Sequence, residues 1–105
     1  MQINITARHF ELTEEIKDYT QRKLDKLNHF ENILTNIDIV LAKDSKQMFA
    51  EGKVNLKGSY VLAKASANDI YLAIGLLADK LIKQVKHHYE KLKSKKKSLR
   101  SKSVL

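Results

Sequence analysis

Hydrophobic and polar positions follow two different periods in the first third of the chain. Every second residue from Ile3 to Ala7 is apolar, so residues 1–7 are predicted to form a strand with one buried face. Apolar residues then recur at helical spacing, which predicts a helix over residues 13–29. Thr13 is a suitable N-cap for this helix, and the two acidic residues after it suit the positive end of the helix dipole.

Three further segments show the two-residue period of strands. They span residues 36–43, 48–57 and 60–67, and in each of them apolar and polar side chains alternate. A polar turn at Lys43–Lys46 separates the first two segments, and Gly58-Ser59 turns the chain between the second and the third. The pattern therefore predicts three consecutive strands joined as an antiparallel meander.

The predicted order of elements, β-α-β-β-β-α, indicates an α+β fold. The first strand reaches the meander through a helical crossover. Because each strand has only one apolar face, both helices must cover the same face of the four-stranded sheet, and the other face stays in water. We therefore expect a single domain, built as a two-layer sandwich.

The last helix, predicted from residue 69 to the low nineties with Asn68 or Asp69 as its N-cap, has two distinct sides. At about 100° per residue, one side is apolar, and it comprises Ile70, Ile74, Leu77, Leu81, Val85 and Leu92. Beside it runs a row of basic side chains about one helical turn apart, which we call the basic stripe: Lys80, Lys83, His87 and Lys91. Donors with this spacing can follow a phosphate backbone.

The first predicted helix carries three more cationic side chains, those of Arg22, Lys23 and Lys26. If the two helices lie side by side on the sheet, this cationic flank and the basic stripe border one groove. Lys23 falls near the middle of the apolar side of its helix. Its aliphatic stem is therefore expected to be buried, with the ammonium group reaching water.

Composition narrows both the class of protein and its partner. The 105 residues include no cysteine, which excludes a disulfide framework and a thiolate metal site. No segment is typical of a signal peptide or a membrane span, so a cytoplasmic protein is expected. The whole net charge of +8 lies in residues 76–105, where ten basic residues accompany two acidic ones, because residues 1–75 carry ten of each. This distribution favours a polyanionic partner, nucleic acid before an anionic membrane, and the alternative is a tail that only improves solubility.

Other interpretations of the same residues stay open. The stripe can be a solvated helix face with ordinary i,i+4 pairs, Asp79–Lys83 and Lys86–Glu90. The last helix could also bind a membrane surface, although the sheet would then lose its cover. His87-His88 has no third metal ligand nearby, and His88 is expected in the core. No enzyme motif or phosphate-binding glycine loop is present, so neither a cofactor nor a small-molecule substrate is predicted.

Several segments, taken in order, match the pattern of a known family. Met1–Thr6, Glu11–Glu14 and Lys23–Leu27 look like that family's first strand and helix. Asp69–Ile74, followed by Asp79–Val85, resembles its second-helix signature and is the most specific part. On these segments the chain, over residues 1–93, resembles the ribosome hibernation promoting factor family, which includes the ribosome-associated inhibitor protein Y.

The resemblance implies a fold related to double-stranded RNA-binding domains and a partner consisting of the 30S subunit and the 70S ribosome, bound through 16S rRNA. Members of the family occupy the channel for messenger and transfer RNA and keep ribosomes inactive under stress or in stationary phase. They act by occupancy, without catalysis. The rRNA-binding residues implied here are Arg22, Lys23, Lys26, Lys80, Lys83, His87 and Lys91. A generic double-stranded RNA-binding module is the alternative.

Four features depart from the family pattern or qualify it. His87 stands where lysine is usual, so its contact is expected to be weaker or to depend on pH near neutrality. Gly75 stands where an acidic residue is common in the family, and it lies inside a helix at a cost of about 1 kcal/mol relative to alanine. The chain is expected to be a short-type member without a dimerisation domain, so a ribosome dimer would need a separate ribosome modulation factor. Residues 94–105 are expected to form a disordered basic tail.

Overall fold

A four-stranded sheet and two α-helices form the fold, with an additional 3-10 helix between the first helix and the second strand. The computed structural model describes the backbone of residues 2–104 and the side chains of residues 2–92. Each strand lies within two residues of its predicted bounds. The elements are β1 (Gln2–Arg8), α1 (Glu14–Lys23), the 3-10 helix (Asp25–Ile33), β2 (Leu34–Asp44), β3 (Gln47–Leu56), β4 (Ser59–Ala67) and α2 (Ile70–Val104).

The sheet has the strand order β1-β2-β3-β4, so β1 and β4 are its edges. β1 runs parallel to β2, and the crossover between them consists of α1 and the 3-10 helix. β2, β3 and β4 pair antiparallel as the predicted meander. Ser45 has a φ of 59° in the first hairpin turn, and Gly58 has a φ of 79° in the second, where glycine adopts the left-handed conformation without strain.

One hydrophobic core lies between the sheet and the helices. It includes Ile16 of α1 and one face of the sheet, together with the apolar side of α2. The largest fully buried side chains, each less than 2% exposed, are Leu24, Leu27, Ile37, Ile39, Leu41, Val54, Ile74, Leu77, Leu81, Val85 and Thr20. The opposite sheet face is exposed and carries mostly polar side chains, together with the exposed Phe49, Tyr60 and Leu62. The predicted α+β sandwich, with one wet face, is therefore confirmed.

The helix layer approaches the sheet closely at Gly52 of β3. A Cβ atom at this position would lie 2.6 Å from Leu81 Cδ1 and 3.1 Å from Ile39 Cδ1, well inside van der Waals contact. Since both neighbours are buried, neither side chain has open space into which it could move. Glycine at residue 52 is thus what allows α2 to pack directly on the backbone of β3.

Side chains cap both helices at their N-termini. Thr13 Oγ1 accepts a hydrogen bond of 3.2 Å from the backbone N–H of Ile16, as predicted for an N-cap. Asp69 Oδ1 accepts one of 3.0 Å from the N–H of Tyr71, so Asp69 is the cap of α2. Inside α1, the buried Thr20 hydroxyl donates a hydrogen bond of 2.8 Å to the carbonyl of Ile16, which satisfies its polar group within the core.

The prediction of one helix over residues 13–29 is wrong at its C-terminal end. α1 ends at Lys23, Leu24 has the bridge-region angles φ −91° and ψ 0°, and a 3-10 helix follows. The physical reason is a three-residue apolar spacing, since a 3-10 helix brings residues i and i+3 to the same side. The residues with this spacing, all packed in or against the core, are Leu24, Leu27, Phe30 and Ile33.

The last helix also differs from its prediction. Its backbone is helical to Val104, beyond the low nineties. Leu92, which was expected on the buried apolar side of α2, is 43% exposed. Val85 is the last α2 residue in the buried core. His88 is half-buried and does not belong to that core. The predicted disordered tail, residues 94–105, lies outside the residues whose side chains the structure describes, and it stays a prediction.

We expect two glycine substitutions to change stability in opposite directions. Gly52→Ala forces a methyl group against Leu81 and should lower the free energy of unfolding by about 1–3 kcal/mol. Gly75→Ala meets only Tyr19 Oη at 3.8 Å, an ordinary contact, and should raise it by about 1 kcal/mol. Urea unfolding midpoints at an unchanged m-value measure both effects. A Gly52→Ala variant as stable as the parent would contradict the close packing of the layers.

Candidate nucleic-acid interface

All seven predicted rRNA-binding side chains are exposed. Arg22 and Lys23 end α1, whereas Lys26 belongs to the 3-10 helix. The expectation that the stem of Lys23 is buried is wrong, because α1 ends there and Leu24 enters the core in its place. The ammonium group of Lys23 lies 5.5 Å from the ring centroid of Tyr19, in a cation–π contact. The other four side chains are those of the basic stripe on α2.

The basic stripe faces the side of α2 that borders β4. Lys80 Nζ donates a hydrogen bond of 2.7 Å to the backbone carbonyl of Lys64 in β4. Lys83, His87 and Lys91 line an open depression together with Val61 of the same strand. Since β4 is an edge strand, the stripe runs along the border of the sheet, where no further element covers it in the described part of the chain.

The opposite side of α2 packs against α1 and the 3-10 helix. The rings of Tyr19 and Tyr71 meet edge to face with centroids 5.0 Å apart, and those of Phe30 and Tyr89 with centroids 5.3 Å apart. At about 100° per residue, the contacting α2 positions point roughly 150° away from the basic stripe. The predicted single groove between two cationic flanks is therefore wrong. The basic stripe and the cations of α1 and the 3-10 helix lie on opposite sides of α2, which forms a ridge between them.

The lysines of the stripe are not held in ion pairs. Among the side chains that the structure describes, the ion pairs are Glu14–Lys17 and Glu51–Lys64, each at 3.7 Å. The predicted i,i+4 pairs Asp79–Lys83 and Lys86–Glu90 are not formed. This outcome is physically reasonable, since an exposed pair of this kind contributes only about 0.3–0.5 kcal/mol. The positive charge of Lys83 is consequently available to an external anion.

Sequence reasoning missed two cationic neighbours of the stripe. Lys64 of β4 lines one depression with Lys80, whose ammonium group donates to the Lys64 backbone carbonyl. This proximity depends on how α2 sits over the sheet, which no local pattern reports. Lys86 lines the same depression as Lys83 and was predicted only as half of an ion pair. Its three-residue spacing from Lys83 was a usable signal.

Residues 3–93 match the family model described as Sigma 54 modulation protein / S30EA ribosomal protein. The chain belongs to this family. The match extends from β1 into α2 and includes every predicted rRNA-binding residue of this S30EA-family chain. The family resemblance seen in the sequence is thereby confirmed.

Relatives of known name are similar over nearly their whole lengths. A ribosome hibernation promoting factor of Pseudomonas putida is 39% identical over 95 residues, which cover 90% of this chain and 92% of the relative. The factor of the same name from Escherichia coli K12 is 31% identical over 93 residues, which cover 89% of this chain and 98% of the relative.

Solved structures share the fold. The Thermus thermophilus Protein Y N-terminal domain superposes with a TM-score of 0.78 at 32% identity, covering 84% of this chain and 99% of that domain. A ribosomal subunit interface protein from Coxiella burnetii gives a TM-score of 0.79 at 24% identity, covering 86% and 99%. The predicted β-α-β-β-β-α architecture is that of these S30EA-family structures.

Two features are absent from the described residues. Neither α-helix has a stretch long and apolar enough to cross a membrane. No three side chains among the described His, Asp and Glu residues converge as metal ligands.

Two neutral substitutions on the stripe should separate structural from binding roles. Lys83→Gln removes an unpaired charge and should leave the free energy of unfolding within about 0.5 kcal/mol of the parent. Lys80→Met removes the donor to the Lys64 carbonyl and should lower it by about 0.5–1 kcal/mol. Urea unfolding of both variants measures the difference. A larger loss of unfolding free energy for Lys83→Gln than for Lys80→Met would contradict the assignment of a structural role to Lys80 and not to Lys83.

Proposed function

We propose that this protein is a translation inhibitor that binds the ribosome and stabilises it in an inactive, hibernating state. The observation that carries the proposal is the basic stripe on α2, whose lysines form no ion pair among the described side chains, in a chain of the S30EA family whose relatives are named ribosome hibernation promoting factors. The mode of action is occupancy, not catalysis. The protein acts in the cytoplasm, where ribosomes are located.

The ligand of the stripe is 16S rRNA on the 30S subunit, alone or within the 70S ribosome. Successive side chains of the stripe are about 5–6 Å apart, close to the spacing of phosphates along a strand. Lys80, Lys83, His87 and Lys91 then contact the backbone of one RNA segment. Arg22, Lys23 and Lys26 contact a second segment on the far side of the ridge.

The two-sided arrangement of cations favours a channel as the binding site. A ridge with positive charge on both flanks suits a cleft with RNA on both walls, whereas a single duplex would be held by one continuous basic face. We therefore propose the channel for messenger and transfer RNA on the small subunit as this site. Insertion of α2 there excludes both RNAs and keeps the ribosome idle. A generic double-stranded RNA-binding module is the alternative that the tests must separate.

Ribosome dimers do not follow from occupancy of the channel alone. We propose that this chain, if it takes part in dimers, does so together with a separate ribosome modulation factor. The basic residues of 94–105 add non-specific affinity for RNA in this scheme, because each is a further phosphate contact without sequence information.

Reversing two charges of the stripe should abolish ribosome association. The double variant Lys80→Glu/Lys83→Glu replaces attraction to phosphate by repulsion and is expected to be absent from 30S and 70S pellets in co-sedimentation. Circular dichroism and the urea midpoint check that it folds.

The matched control is Lys43→Glu/Lys46→Glu, which makes the same charge change at exposed positions beside the first hairpin turn. This control should bind within a few-fold of the parent. Normal binding by the folded stripe variant would overturn the assignment of the interface.

Binding to 30S subunits should fall with salt and compete with messenger and transfer RNA. Each phosphate contact adds roughly 0.7–0.9 to the steepness of the log–log salt dependence. Equilibrium binding at several salt concentrations measures that slope, and added messenger and transfer RNA should displace the protein. Equal displacement by bulk duplex RNA, without preference for the subunit, would instead support the generic RNA-binding module.

A further inference from the structure

A second open depression adjoins the basic stripe at Lys80 and offers groups that the stripe lacks. It contains an exposed aromatic ring and an exposed leucine, since Phe49 is 37% and Leu76 41% exposed. Its lining residues are Phe49, Lys64, Ala65, Ser66, Leu76 and Lys80. Beside a depression, exposed apolar side chains of this size provide contact area for a ligand with an apolar face.

The depression arises from small side chains on the edge strand. Ser66 of β4 lies opposite Phe49 of β3 in the ladder, and Ala65 is its neighbour. Because β4 is the edge of the sheet, nothing in the described part of the chain lies beyond these two small residues. Phe49 projects from the sheet face away from α2, since it alternates with the buried Ala50, whereas Leu76 projects from α2 itself. The depression therefore runs around the β4 edge between them.

The rim of the depression is positively charged. Lys64 and Lys80 line it, and no carboxylate does. Lys80 is fixed there because its ammonium group donates to the Lys64 carbonyl at 2.7 Å, and that neutral acceptor leaves its charge intact. Lys64 Nζ lies 3.7 Å from the Glu51 carboxylate, but both side chains are more than half exposed, and such a pair is weak. The occupant should therefore combine an apolar face with an anion.

We propose that this depression is a nucleobase subsite, in which one base unstacked from the bound RNA lies on the ring of Phe49. The flanking phosphates contact Lys80 and Lys64, so the subsite continues the path of the backbone along the basic stripe. Aromatic side chains take unstacked bases in this way because every base has a flat π-face. The inference rests on the proposed function and adds a contact to it that is not electrostatic.

A second copy of this chain is a poorer occupant. Pairing of two β4 edges would bring Lys64 of each copy to the new interface, and lysine on an edge strand opposes such pairing. Lys80 also takes the outward carbonyl of Lys64, which an added strand would need. A nucleobase requires neither group to move.

The test compares Phe49→Leu, which keeps the apolar volume, with Phe49→Tyr, which keeps the ring. Phe49→Leu should weaken 30S binding by roughly five-fold or more, the lower end of what a base–aromatic stack contributes. Phe49→Tyr should bind like the parent. The salt slope should stay the same in both variants, because a stack releases no counterion.

The matched control is Tyr60→Leu, which removes another exposed ring from the same strand pair. Tyr60 is 56% exposed and already carries Lys53 Nζ 4.7 Å from its centroid. It lies outside the depression, so its loss should leave the affinity for 30S subunits unchanged.

Two further measurements distinguish a failure of the nucleobase subsite from a failure of the proposed function. A benzophenone side chain at position 49 should crosslink to RNA on the 30S subunit, and crosslinking to a protein or to a second copy would overturn the proposal. An RNA hairpin with one unpaired 2-aminopurine should lose fluorescence on binding the parent but not Phe49→Leu, whether or not the parent binds ribosomes. Equal quenching by both, or equal affinity of both for 30S subunits, would refute the stack and leave the role of the stripe intact.

Discussion

The contact between Gly52 and Leu81 is the constraint on which the orientation of α2 depends. Because β3 presents no side chain at Gly52, Leu81 reaches the backbone of the strand. Leu77 and Val85, one turn to either side, are buried on the same side of the helix. Rotating α2 about its axis would lift all three from the core. The same rotation angle places Lys80 along β4, so the packing of the core determines the direction of the basic stripe.

Aromatic contacts hold the other side of α2. The Tyr19–Tyr71 and Phe30–Tyr89 pairs are separated by five turns of the helix, a distance of about 27 Å along its axis. Each such pair contributes about 0.5–1.5 kcal/mol beyond the burial of its area. α2 is therefore fixed at two well-separated points on one side. Its opposite side needs no structural partner and can carry charge.

The sequence predicts the fold well because each strand has one wet face, which makes the two-residue period of Ile37, Ile39 and Leu41 easy to detect. The end of α1 was missed because Leu24 and Leu27 satisfy both helical periods, and only their continuation at three-residue spacing distinguishes a 3-10 helix. The groove was predicted wrongly for a different reason. A helical wheel gives the angle between side chains on α2, but the side on which α1 packs is a property of the assembled core.

The cations of the interface differ in whether another group of the protein already holds them, and this difference affects how each would bind RNA. Among the described side chains Lys83 has no ion-pair partner, so a phosphate reaching it displaces only water and counterions. Lys80 is held by a carbonyl, which orients the ammonium group without neutralising it. A stripe made wholly of mobile lysines would lose side-chain entropy at every contact, whereas a fixed lysine has lost it in advance. Lys80 is thus suited to set the register of the RNA, and the freer cations add affinity around it.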